Sequence, residues 1–179
     1  MAKNQNVQVL SVADAQQIIA EAKTTVRLME WIPKKTKSNP QWIEFVSACS
    51  IQSEIREDVM FRAQYRAGRT IAAGESRIET AEIFNASLCV GPFRILALDS
   101  ADTPHKNKVG TGYPLHLHSI TSRTHKHIWT PEGYGYAEPV EPALDDIESL
   151  INAFLPMANL TLLGGFNHPL RGTQMGRLL

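Results

Sequence analysis

The chain has 179 residues, 43% of them hydrophobic and 20% charged, which is the size and make-up of one folded domain with its own core. Its 18 Lys and Arg balance 18 Asp and Glu, which excludes a binder that relies on bulk neutralisation of phosphates. No run approaches the roughly 18 apolar residues of a membrane-spanning helix. The opening Met-Ala-Lys-Asn-Gln-Asn leads into no apolar segment, so a cytoplasmic protein without membrane contact is expected. Cys49 and Cys89 lack C-x-x-C spacing, so no thiolate zinc or redox motif is expected.

In chain order, Val12, Ala15, Ile18, Ile19 and Ala22 recur at helical spacing behind Ser11 and Asp14, which form a capping start. The spacing predicts a helix ending near Lys23. Val26 to Ile32 reads as a strand, closed by Pro33 and a polar loop. Gln41 to Ile51 is rich in β-forming residues. From Val59, the residues Val59, Phe61, Ala63 and Tyr65 alternate with Arg62, Gln64 and Arg66.

Gly68 to Gly74 reads as a turn. Phe84, Ala86, Leu88 and Val90 repeat the period of two, and Gly91-Pro92 precedes a further run from Phe93 to Leu98. Asp99 to Pro114 reads as a surface loop. Leu115 to Thr121 and His125 to Thr130 read as the two arms of a hairpin. Pro131, Pro139 and Pro142 make the next stretch extended or irregular. Leu144, Ile147, Leu150, Ile151, Phe154 and Leu155 define a second amphipathic helix, stopped or kinked by Pro156. From about 161 the tail, with Gly164, Gly165, Gly172 and Gly176, reads as irregular.

Strands without intervening helices predict an α+β fold. Its form is one domain over 1–179, an antiparallel sheet of about five to seven strands with an N-terminal and a C-terminal amphipathic helix packed on it.

Five of six histidines fall between 105 and 127: His105, His116, His118, His125 and His127. Two pairs are H-x-H, and on a strand that spacing puts both rings on one face. Pairing with residue numbers that sum to 245 sets His118 opposite His127 and all four rings together. A sum of 246 separates the pairs onto opposite faces.

Histidine titrates near neutrality, so His118 and His127, with His116 and His125, are candidates for acid–base catalysis. Alternatively His116, His118, His125 and His127 could hold zinc, since three neutral imidazoles and an open position make a catalytic site. Inert, hydrogen-bonded histidines are the plain alternative. His105 and Asn107 from the neighbouring loop, and Tyr134 and Tyr136 by stacking on a base, are candidate substrate contacts. Arg56, Arg62, Arg66 and Arg69 form a basic stripe that could hold phosphates or be a solvated strand face.

Leu-Ala-Leu-Asp at 96–99, Pro104-His105-Lys-Asn107, Pro114-Leu-His116-Leu-His118 and Tyr-Ala-Glu-Pro at 136–139 resemble a family of small uncharacterised bacterial and phage proteins. The likeness continues through Phe154-Leu155 and Ala158-Asn159-Leu160. His125-Lys-His127 before a proline-rich segment and a terminal helix is similar to TumE-type toxins of toxin–antitoxin modules. The resemblance implies a compact α+β domain encoded among accessory or mobile genes. The function expected is a histidine-dependent, nuclease-like toxin acting on RNA or nucleotides, with an antitoxin as protein partner. The alternatives are a non-enzymatic inhibitor that binds a host defence complex, and a metal-binding domain.

Overall fold

The computed structural model describes residues 10–74 and 76–171. Helix α1, Val12–Ala20, starts where its capping residues place it. The Ser11 hydroxyl accepts from the Asp14 N–H at 3.0 Å and donates to the Asp14 carboxylate at 2.7 Å. Its far end is closed by the buried Lys23, whose Nζ donates to the carbonyls of Ile18, Ile19 and Glu21.

The strands that follow are β1 (Lys23–Thr25), β2 (Ile32–Pro33), β3 (Ile43–Ile51), β4 (Glu54–Arg66), β5 (Arg69–Ala73), β6 (Ser76–Thr80), β7 (Ile83–Val90) and β8 (Phe93–Ser100). Then come β9 (His105–Lys106), β10 (Ser119–Ile120), β11 (Thr124–Thr130), β12 (Gly133–Pro139), helix α2 (Ile147–Met157) and β13 (Leu160–Thr161). One nine-stranded sheet runs β12-β11-β8-β7-β4-β3-β1-β13, with β2 alongside β3. The β1–β13 pair is parallel, and the other pairs of this sheet are antiparallel.

One face of this sheet is the core. Phe61 stands opposite Leu88 and Leu88 opposite Leu96, while Ala63, Ala86 and Leu98 form the next row. Helix α2 lays Ile147, Leu150, Ile151 and Phe154 on this face, with the Phe154 ring 5.7 Å from that of Phe61. The other face is polar. One row runs Arg62, Ser87, Ala97, His127, and the next runs Gln64, Asn85, Asp99, His125. The alternation of two thus gives the sheet an apolar side and a polar side.

The expected α+β fold is not what forms. The chain is mainly β, 45% strand against 13% helical, and its main sheet has nine strands rather than five to seven. The surplus comes from pieces too short or too rich in Gly and Pro to show a period: β1, β2, β13, and β12 across the stretch read as irregular. The turn expected over Gly68 to Gly74 is instead strand β5, paired with β6 as a separate hairpin. Between 26 and 32, where a strand was expected, β2 takes up only Ile32 of that range. The tail read as irregular begins with β13 paired to β1; Gly172 and Gly176 lie outside the described residues.

The hairpin expected over 115–130 also does not form. Strand β10 pairs with β9, Ile120 opposite His105, while β11 lies between β8 and β12. Leu117 adopts φ +65°, and the His116 and His118 N–H groups close turns onto the Tyr113 and Leu115 carbonyls. A left-handed residue between the two histidines breaks the strand that H-x-H spacing presupposed.

Candidate metal centre

His125 and His127 project from the polar face of β11, two residues apart, and both are nearly fully buried. His105 arrives from β9, in the segment folded beside β12. Its Nε2 donates to the Gly135 carbonyl at 2.9 Å. The three rings meet: centroid separations are 4.7 Å for His105–His127, 4.9 Å for His125–His127 and 5.3 Å for His105–His125. One ligand nitrogen from each lies within 4.8 Å of the others.

The surroundings fix His105 and His127 by their outer nitrogens. His127 Nε2 stands 3.4 Å from Asp99 Oδ2. Arg94 clamps the same carboxylate through both terminal nitrogens and also donates to the Tyr134 hydroxyl. The Tyr134 ring stacks on His127 at 4.8 Å. Meanwhile His125 Nδ1 and His127 Nδ1 are buried with no hydrogen-bond partner. Buried ring nitrogens are ordinarily satisfied, so these two mark an unmet role, and with Nε2 of His127 facing the Asp99 carboxylate its Nδ1 is the lone-pair nitrogen.

The charges follow from this packing. Burial, then the neighbouring His127, pushes His125 down to about 4. Burial also lowers His127, against the opposing pull of Asp99. For Asp99, burial alone would raise the carboxyl, but His127 and Arg94 outweigh it and hold it at about 2. Burial lifts the Tyr134 hydroxyl to about 12 in spite of Arg94. Near neutral pH His125 and His127 are therefore neutral imidazoles, which is the form that ligates metals.

Of the other sequence candidates, His118 is exposed and His116 half-buried, and neither belongs to the metal-competent group found among the described residues. The zinc set expected from His116, His118, His125 and His127 thus keeps its second pair and exchanges its first for His105.

Asn107 is fully buried and spent on backbone. Its amide accepts from Ala137 N–H at 2.7 Å and donates to the Ala137 and Leu115 carbonyls, both at 2.9 Å. Tyr136 is 1% exposed and its hydroxyl accepts from the Leu115 N–H at 3.3 Å. Both tie the 107–115 loop to β12 and leave little for a substrate. Tyr134 and His105, by contrast, line a cleft of about 510 Å³ with Lys106, Lys108, Val109 and Gly135.

Sequence reasoning missed Arg94 and Asp99 as a pair. Five residues apart, they would face opposite sides of a regular strand. A bulge shifts the register so that Leu88 faces Leu96 but Cys89 faces Arg94, which returns Arg94 to the face of Asp99. A second bulge, between Ile128 and Thr130, similarly disrupts β12 beside Tyr134.

Comparison with protein-family models, curated proteins and solved structures gives no match for this chain, so the functional reading rests on its own geometry. Among the described residues, no helix is long and apolar enough to cross a membrane.

Proposed function

We propose that this chain is a metalloprotein in which His105, His125 and His127 hold one divalent transition ion of the zinc type, used to hydrolyse a phosphate-bearing substrate such as RNA or a nucleotide. The observation that carries the metal is the pattern of ring nitrogens. His105 and His127 are each engaged at Nε2, by a backbone carbonyl and by a carboxylate, while Nδ1 of His127 and of His125 is buried and unpartnered. Histidines that ligate metals are oriented in this way by their second nitrogen. Three protein ligands leave a fourth position for water, which the ion acidifies toward neutrality. Lys106 and Lys108 on the wall of the adjoining cleft favour an anionic substrate there.

The test is elemental analysis and zinc titration of the purified protein, followed by RNA and nucleotide turnover with and without a chelator. Near-stoichiometric zinc that is lost in a His125→Ala, His127→Ala double variant supports the metal. Chelator-sensitive turnover supports the chemistry. A protein that takes up no transition ion sinks the reading.

A second reading is favoured by the His127–Asp99 contact: metal-free acid–base catalysis, with Asp99 orienting His127 as the general base. Its signature is turnover that survives exhaustive chelation and disappears in His127→Ala.

A further inference from the structure

The basic stripe on β4 and the start of β5 contains one arginine that the fold does not use. Arg56 pairs with Asp58 at 2.7 Å, Arg66 lies over the Trp42 ring, and Arg69 donates to the Asn39 carbonyl at 2.8 Å. The Arg62 side chain makes no hydrogen bond, ion pair or ring contact with any described residue, and its Nε is buried. It sits on the polar face of the sheet, with Ser87 directly across on β7.

Arg62 opens onto a groove of about 240 Å³ whose walls include Gln64, Asn85, Ser87 and Arg94, with no acidic side chain among the described lining residues. The nearby amides are already ordered: Asn85 donates to Gln64 at 3.3 Å, and Gln64 donates to Glu44 at 3.0 Å. The Glu44 carboxylate thus accepts from Gln64 and is not among the residues lining the groove. Arg94 spends its terminal nitrogens on Asp99 and Tyr134, yet its Nε is also buried without a partner. Arg94 has Asp99 as its counter-charge, but the half-buried Arg62 guanidinium has none at the pocket, which is a cost to folding. A ligand anion would remove that cost.

We propose that this groove seats a small oxyanion, the carboxylate or phosphate group of a ligand, on the planar guanidinium of Arg62, flanked by Arg94 and the Ser87 hydroxyl. Arginine suits the task because its fork matches two oxygens of one anion. The site is separate from the histidine ligands and stands whether or not they hold a metal, so it is tested on chelator-treated protein.

Calorimetric titration with inorganic phosphate and, separately, with acetate at constant ionic strength should give saturable binding of at least one anion. A response to phosphate alone assigns a phosphoryl group, and a response to acetate alone assigns a carboxylate. Arg62→Gln should weaken binding roughly tenfold or more, while the ligand-free variant melts at or above the wild-type temperature. Arg62→Lys keeps the charge without the fork and should bind more weakly than wild type; it carries the comparison if Arg62→Gln does not fold cooperatively. Absence of saturable binding by either anion, or unchanged affinity in the folded variants, overturns the proposal.

Discussion

His127 reaches diagonally to Asp99 on the adjacent strand: its Nε2 lies 3.4 Å from the carboxylate, although its directly opposed residue is Ala97 and Asp99 is opposed to His125. One carboxylate thereby anchors one imidazole and is itself anchored by Arg94. The arrangement orders the site from the outside inward, so that the ring nitrogens facing the centre are fixed before any ligand arrives.

Replacing Asp99 by Asn should therefore weaken metal binding without removing a ligand. The expected loss is roughly 10–100-fold in affinity, read by competition with a chromophoric chelator. Glu138→Gln, which breaks the Lys126–Glu138 pair at 2.8 Å on the neighbouring strands, should leave affinity unchanged. Equal effects from both variants would make the Asp99 contact incidental.

The metal-free protein should lose stability in acid in two stages. His125 is depressed to about 4 and Asp99 to about 2 in the folded state, against roughly 6.5 and 3.9 when unfolded. A group depressed on folding stabilises the fold above its unfolded value, and that contribution is lost as pH falls through the folded value. His125 acts between about 6.5 and 4 and contributes on the order of 3 kcal/mol; Asp99 acts between about 4 and 2 and contributes on the order of 2 kcal/mol. Thermal melts of chelator-treated protein should fall across the first window, and His125→Gln should flatten that fall. A melting temperature that stays level from pH 7 to 4 would contradict the burial argument.

Asn107 predicts a link between fold and site. Its amide pairs with the N–H and carbonyl of Ala137 on the edge strand β12 and also holds the Leu115 carbonyl. Asn107→Ala leaves these buried groups without partners and should cost about 2–4 kcal/mol. His105 lies two residues away on the same segment, so metal affinity should drop with it while His125 and His127 stay in place. Urea unfolding together with zinc titration checks both halves. Full affinity in a destabilised variant would separate His105 from this anchor.

The long strands were legible because each buries one face. Val59, Phe61, Ala63 and Tyr65, then Phe84, Ala86 and Leu88, are buried as their alternation required. The first helix starts at its expected Ser11 cap, while the second starts at Ile147, three residues after Leu144. What alternation cannot carry is a bulge or a tertiary partner. The extra residue in β8 that brings Arg94 beside Asp99 leaves no mark in the hydrophobic pattern. Strands of two or three residues, such as β9 and β13, have no period to read, and β9 is the element that carries His105. At the site, the pair His125 and His127 was readable because β11 is a true strand. The pair His116 and His118 was not, since identical spacing occurs there on a turn.

That contrast supplies the last prediction. The two H-x-H pairs are chemically alike, so composition alone would give His118 and His127 equal weight. The fold does not: His118 is exposed beside Leu117 at φ +65°, whereas His127 is 2% exposed and packs against His105, His125 and Tyr134. His105→Ala should lower zinc affinity by orders of magnitude, because it removes one of three ligands and the two that remain cannot complete a tetrahedral set. His116→Ala and His118→Ala, singly or together, should leave affinity within about twofold and stability within about 0.5 kcal/mol. Zinc titration of the three single variants and the double variant, with melting curves to confirm folding, decides the point. Zinc loss in His118→Ala, with His105→Ala retaining the ion, would return the site to the hairpin arrangement and overturn the centre described above.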